Sequence, residues 1–220
     1  MILPAIISSV FEVCATQPLD VMKTHYQTNT KIIFSIKELY KGFVPRAFGN
    51  IPSRSIFLFS QDYLKSYISE QNKFKFLLIP VGAGFAQTLF DTPVEVLKIN
   101  KIMNVNNKFL YTGFIPHLSR NILFLIPVYN LREYSNKVNR DKNIFSNALY
   151  GATGGVIGSY ISHPLDTIKS RIQSKQHLDF KNITIKELYK GVHIRASMSL
   201  INMFVSLYVF ELIKMFDMVN

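Results

Sequence analysis

Six stretches of the chain are dominated by apolar side chains, roughly residues 2–28, 46–68, 76–103, 116–136, 144–175 and 194–216, with short polar segments between them. A helix crossing a bilayer needs about 20 mostly apolar residues, and all six stretches reach that length. Segments such as "NILFLIPVY" and "LINMFVSLYVF" are apolar around the whole helical circumference, unlike a helix with one face in water. The pattern predicts helices set in lipid rather than a soluble stack of amphipathic helices. Yet none of the six is free of charge. The first contains "QPLDVMKTHYQ", where a proline, an acid and a base interrupt an apolar run.

That interruption recurs. Pro18, Asp20 and Lys23 are matched by Pro93, Glu95 and Lys98, and again by Pro164, Asp166 and Lys169, with the prolines 75 and 71 residues apart. A second landmark follows each copy: Tyr40 and Gly42 in "ELYKGFVPR", Tyr111 and Gly113 in "LYTGFIPH", Tyr189 and Gly191 in "ELYKGVHIR". Twenty residues past each glycine stands an acid, Asp62, Glu133 or Glu211. Lys65 and Lys214 follow the first and third of these, whereas Asn136, beside Lys137, takes that place in the second. One Pro-x-acid-x-x-Lys means little; three in register with two further landmarks define tandem repeats. Their bounds are read as 1–72, 73–140 and 141–220. The fold class expected is an all-α membrane protein, with six transmembrane helices in three tandem pseudo-threefold repeats around a central cavity. Gly82, Gly84 and the "GATGG" run from Gly151 to Gly155 would let helices pack closely.

Ionisable side chains in spanning helices are costly and generally face the interior, where they pair. An acid and a base three residues apart share a helical face. Around a pseudo-threefold axis, Asp20, Glu95 and Asp166 would then each meet a lysine of the neighbouring repeat, in a ring closing one end of the cavity. Each proline removes a backbone hydrogen bond and kinks its helix, bringing the helix ends together.

Composition adds the kind of partner. The chain carries 25 Lys and Arg against 14 Asp and Glu, a formal +11, which points to anions. The bases form no long tract and lie beside apolar spans, which fits acidic lipid headgroups and small anions better than a nucleic-acid polymer. Cys14 stands alone, so there is no internal disulfide, and its apolar surroundings predict a buried side chain. Neither a metal-ligand cluster nor a catalytic constellation is visible, so no cofactor and no enzyme activity are expected. The opening segment reads as neither a secretory signal nor a mitochondrial presequence, which would leave an organelle address internal.

With these motifs the sequence resembles the mitochondrial carrier family over essentially its whole length, as an unusually compact member. The resemblance implies an alternating-access transporter of the mitochondrial inner membrane, an exchanger, monomeric and multi-pass. It makes Asp20, Lys23, Glu95, Lys98, Asp166 and Lys169 a matrix-side gate. Gln27 and Gln173 would brace that ring, a place held by Ile102 in the second repeat. Asp62, Lys65, Glu133, Glu211 and Lys214 become a cytoplasmic-side gate, weakened by Asn136. It implies cardiolipin binding by Tyr40, Lys41, Gly42, Tyr111, Gly113, Tyr189, Lys190 and Gly191, with Thr112 replacing the base of the middle copy.

Substrate contacts would fall on Gly49, Asn50, Arg120, Asn121 and Ser199. Of these Arg120 is the full charge, suited to a carboxylate or phosphate. Arg46, His117 and Arg195 one turn earlier, with Arg54, would make the cavity wall electropositive. Glu12 would meet a positive group of the substrate, couple a proton, or pair with Arg195 or Arg46. The substrate implied is a small anionic metabolite, a nucleotide or a carboxylate. "GNIPSRSIFLFSQDYLK" and "TPVEVLK" look like S-adenosylmethionine-type carriers instead. The weakened second repeat leaves a non-transporting carrier-fold protein as a further alternative. Repeats of little over seventy residues, against the family's hundred or so, require the short helix between each long pair to be cut down.

Overall fold

The computed structural model describes residues 2–68, 72, 74–138, 144–176, 183–202 and 204–205. Among these the chain forms seven helices and no strand: α1 (Ile2–Gln27), α2 (Ile36–Leu39), α3 (Phe43–Tyr67), α4 (Lys75–Met103), α5 (Phe114–Val138), α6 (Ile144–Gln173) and α7 (Ile185–Leu188). Helical backbone resumes over 192–202 and 204–205. The five long helices coincide with the first five apolar stretches, and the sixth stretch is helical as far as it is described. The short helix between the long pair of a repeat is reduced to the four residues "IKEL" in both α2 and α7. Residues 104–113 join α4 to α5 without one.

Helices adjacent in sequence pack side by side, α1 on α3, α3 on α4, α4 on α5 and α5 on α6. The stretch from 192 packs on α6, where the Ser159 and Ser199 hydroxyls lie 2.5 Å apart. Its start returns to α1, with a Cβ at Gly191 falling 3.2 Å from Tyr26. The bundle therefore closes on itself. Pro18, Pro93 and Pro164 lie inside α1, α4 and α6, and these three helices also touch one another. Small residues set the closest approaches. A Cβ on Gly158 would sit 2.6 Å from the Phe124 carbonyl oxygen and one on Gly154 2.9 Å from Val128 Cα, so α5 and α6 meet backbone to backbone.

Burial is inverted relative to a water-soluble bundle. Asp20, Lys23, Gln27, Lys98, Asp166 and Lys169 are buried, whereas Phe11, Phe48, Phe59, Phe85, Ile157 and Ile161 are exposed. Exposed apolar surface on this scale marks contact with another apolar phase. The same inversion limits what hydropathy shows. Among the described residues no helix is long and apolar enough to cross a membrane, because the inward faces carry the polar and charged side chains. Cys14, expected to be buried, is exposed on α1; its helical position turns it outward while Val13 and Thr16 point in.

Gly158→Ala is expected to cost about 1–3 kcal/mol of stability, because its methyl meets backbone that cannot yield. Gly82→Ala should cost less, since it meets only the flexible end of Leu64, 2.6 Å away. Thermal unfolding of the two purified variants checks the order.

Candidate functional site

The three Pro-x-acid-x-x-Lys segments meet where α1, α4 and α6 converge. Lys98 Nζ lies 3.0 Å from Asp20, Lys169 Nζ 2.6 Å from Glu95, and Lys23 Nζ 2.9 Å from Asp166. Each lysine thus reaches the acid of the preceding repeat, and the last pair closes the circle from the first repeat to the third. Within repeats the lysines also face their own acids, at 2.6 Å for Lys98–Glu95 and 3.8–3.9 Å for the other two. All but Glu95 are almost fully buried. A buried ion pair is tolerated only when the partners neutralise one another and their remaining valences are filled, and the ring meets that condition by shared contacts.

Glycine turns hold the lysine helices in place. Gly42, Gly113 and Gly191 adopt φ of 75°, 75° and 84°, where an L side chain is strained. Each packs against the Pro-x-acid-x-x-Lys helix of the next repeat in the cycle, α4, α6 and α1 in turn. A Cβ would meet Lys98 Cγ at 3.0 Å, Gln173 Cγ at 3.4 Å and Tyr26 Cβ at 3.2 Å respectively. The tyrosine of the same motif has a further task. Pro18 and Pro93 leave the carbonyls of Cys14 and Leu89, four residues earlier, without a helical donor. The hydroxyls of Tyr40 and Tyr111 donate to those two oxygens, each at 3.2 Å. Of the residues read as lipid contacts, Lys41 is engaged by Glu38 at 2.6 Å and Lys190 by Asn29. The backbone N–H after each glycine bonds back to the tyrosine carbonyl rather than standing open.

The bracing glutamines behave differently from one another. Gln27 donates to Asp166 at 2.8 Å and accepts from Ser170 at 2.8 Å, directly under the Lys23–Asp166 pair. Gln173 instead donates to the Thr112 carbonyl at 3.2 Å. Asn107 donates to the Gln173 carbonyl, and Ile102, buried, offers no polar contact.

The cavity arginines are not a free electropositive wall. Arg46 lies 3.7 Å from Asp20 and donates to Thr16 and Gln17; Arg195 lies 3.6 Å from Asp166 and donates to Ser162. Arg120 Nε sits 3.1 Å from Asp166, with a second donor on Asn121. One arginine from each repeat therefore contacts the ring acids from above, and Phe124 lies about 6 Å from the guanidinium groups of both Arg120 and Arg195. Asp166 gathers Lys23, Arg120, Arg195 and, more distantly, Lys169.

His117, the counterpart of Arg46, pairs with Thr92 at 3.1 Å. Glu12 is buried in α1, but both arginines proposed as its partners are held by Asp20 and Asp166. Gly49 is a packing position: a Cβ there would fall 2.2 Å from Val94. Asn121 donates to Thr88 at 2.9 Å, and Ser199 bonds Ser159. Asn50 is half-buried on α3. The side chain of Arg54 lies outside the described residues.

At the opposite end Lys65 and Glu133 pair across repeats at 3.1 Å, with Lys65 also 5.3 Å from the Tyr129 ring centre. Asp62, Asn136 and Lys137 are exposed; Glu211 and Lys214 lie outside the described residues. Several participants carried no repeat signal in the sequence. Arg171 donates to the Gln27 carbonyl at 3.0 Å and pairs with Glu187 at 3.5 Å, and Gln176 donates to the Thr28 carbonyl at 2.5 Å. Only the residue type hinted at them.

Asp166→Asn is expected to be the most destabilising neutralisation of the three ring acids, at about 3–5 kcal/mol, because it strands the largest number of buried cations. Tyr111→Phe should cost about 1 kcal/mol, the worth of one hydrogen bond. Thermal unfolding in detergent checks both.

The family described as "Mitochondrial carrier protein" matches the chain over residues 140–218. The mitochondrial 2-oxodicarboxylate carrier of Homo sapiens is 25% identical over 214 residues, covering 75% of this chain and 71% of its own. The probable mitochondrial 2-oxodicarboxylate carrier of Schizosaccharomyces pombe is 26% identical, covering 76% and 72%. The S-adenosylmethionine mitochondrial carrier protein homolog of Drosophila melanogaster is 24% identical over 213 residues, covering 83% and 75%. Repeated ring, glycine turns and similar proteins agree in likening the chain to mitochondrial carriers, whose family model matches its last third.

Proposed function

We propose that this protein is an alternating-access carrier that exchanges a small carboxylate-bearing metabolite across the mitochondrial inner membrane. Its six long apolar stretches would span the bilayer with their charged faces inward. The single observation that carries this reading is the contact between Arg120 and Asp166, 3.1 Å apart. It joins the residue best suited to hold a carboxylate to the acid that closes the ring.

The coupling follows from charge. Three ring acids face three lysines and one arginine from each repeat, Arg46, Arg120 and Arg195. The local excess is positive and draws an anion into the interior. A carboxylate that takes Arg120 withdraws a cation from Asp166 and loosens the ring on that side. A ligand shifts a conformational equilibrium only by its differential affinity for the two states. Here the difference arises because Arg120 serves the substrate in one state and Asp166 in the other. Lys65–Glu133, at the other end, is paired while the ring is closed, so that pair alone does not set which end is open.

The named relatives support a carboxylate, since two of those above are called 2-oxodicarboxylate carriers. The fly relative, which covers the larger share of this chain, favours S-adenosylmethionine as a second reading. Phosphates of an anionic lipid such as cardiolipin would lie at the three glycine turns, where Lys41 and Lys190 would exchange Glu38 and Asn29 for them.

The protein should resist carbonate extraction from membranes. Reconstituted in liposomes, it should take up labelled 2-oxodicarboxylate or S-adenosylmethionine against internal substrate. Arg120→Ala should lower uptake about tenfold or more, the loss of one charge-assisted contact. Folded wild-type protein that moves no carboxylate, nucleotide or S-adenosylmethionine would instead indicate a carrier fold that does not transport.

A further inference from the structure

The second residue before each kink proline is Thr16, Asp91 or Ser162. In the first and third repeats this side chain is a hydroxyl that accepts from an arginine, Arg46 to Thr16 at 2.7 Å and Arg195 to Ser162 at 2.7 Å. The second repeat departs from that arrangement. The arginine is replaced by His117, which turns to Thr92, and the hydroxyl is replaced by the carboxylate of Asp91. Asp91 lies four residues before Glu95, hence one turn above it on the same inward face of α4. Among the described residues it forms no ion pair. The hydroxyl of Ser53 on α3 is a neutral neighbour that favours its charged form, and Ser53 in turn accepts from Gln87 at 3.1 Å.

Arg120 and Lys169 stand within electrostatic reach of Asp91, but both are committed, to Asp166 at 3.1 Å and to Glu95 at 2.6 Å. A half-buried carboxylate beside a neutral hydroxyl carries a desolvation cost that a cation would relieve. Ser53 is buried, so the donor that orients Asp91 is itself fixed. Arg120, on α5, faces the same stretch of α4, since its neighbour Asn121 donates to Thr88 one turn before Asp91.

We propose that Asp91, oriented by Ser53 and Gln87, is a subsite for a positively charged centre of the substrate, an ammonium or another onium group. Arg120 takes the carboxylate of the same molecule. The inference rests on the reading that this interior is the substrate path, and narrows the substrate class to a zwitterion carrying both groups. A plain dicarboxylate would place its second anion beside Asp91 and bind less well.

The test measures binding and transport separately. Purified wild-type protein, Asp91→Asn, Asp91→Glu and Arg120→Ala are titrated with S-adenosylmethionine and with a 2-oxodicarboxylate by thermal shift or calorimetry, then assayed in liposomes. Asp91→Asn is expected to weaken the zwitterion about tenfold or more, as for a lost charge-assisted contact, and to leave the dicarboxylate unchanged or tighter. Asp91→Glu should retain zwitterion binding, which shows that loss in Asp91→Asn is not unfolding. Arg120→Ala should weaken both. Equal zwitterion binding by wild type and Asp91→Asn would overturn the subsite. So would a wild type that binds only dicarboxylate and loses the pH dependence of its uptake in Asp91→Asn, because Asp91 would then carry a proton. Asp91-dependent zwitterion binding without uptake would keep the subsite and overturn the carrier reading.

Discussion

A charge taken out of water must be neutralised where it comes to rest, and the interior of this bundle is organised around that requirement. Asp20, Glu95 and Asp166 each sit against a lysine of the next repeat in the cycle. The charges lie just beyond Pro18, Pro93 and Pro164 inside α1, α4 and α6, where those helices meet, and the glycine turns let the neighbouring segments approach closely. Remove the pairing and the convergence of the three helices becomes a convergence of uncompensated ions. The Coulomb gain of a buried pair is largely offset by desolvation. Such a ring therefore holds a conformation strictly without making it deep, as the proposed alternating access would need.

The threefold repetition is imperfect, and the departures fall where one junction differs from another. The first and second repeats, and the second and third, are joined by the chain itself. The third and first are not. Among the described residues that last junction carries Gln27–Asp166, Ser170–Gln27, Arg171 on the Gln27 carbonyl, Gln176 on the Thr28 carbonyl and Lys190–Asn29. Between the first and second repeats the comparable region shows, among the described residues, a single weak hydrogen bond, Thr28 to Met103 at 3.7 Å. The second and third are tied by Asn107 on the Gln173 carbonyl, Gln173 on the Thr112 carbonyl and Lys175 on the Asn106 carbonyl, so polar side chains join two of the three junctions and leave the first the weakest. The second repeat departs furthest: it lacks the short helix, has His117 in the place of Arg46 and Arg195 and Ile102 in the place of the bracing glutamine, and it alone places an acid, Asp91, two residues before its proline.

Much of the architecture was legible in the chain because its signals are periodic. Apolar stretches of helical length appear where the long helices lie, and three prolines in register imply three equivalent bends. The acid and lysine of each motif announced an inward face, since lipid tolerates neither. What the linear pattern missed were contacts without a period. Arg171, Asn107 and Gln176 each bond a backbone carbonyl that comes within reach only once distant segments meet. Gly49, a substrate contact by the resemblance, also packs against Val94 of α4. Tyr40 and Tyr111, lipid contacts by the resemblance, have hydroxyls that also reach carbonyls freed by proline, a match between two motifs some twenty residues apart.

By itself the sequence determined the helices, their threefold grouping and the set of charges that had to be hidden together, because local propensity and the cost of an ion in an apolar phase depend only on which residues occur at which spacing. Only the tertiary structure decided how those charges are shared. Asp166 collects cations from every repeat, Arg46 and Arg195 serve the ring acids, and Asp91 is left with neutral donors. Partner choice depends on distances of a few ångströms between segments far apart in the chain, and such distances are set by packing and kink geometry rather than by composition.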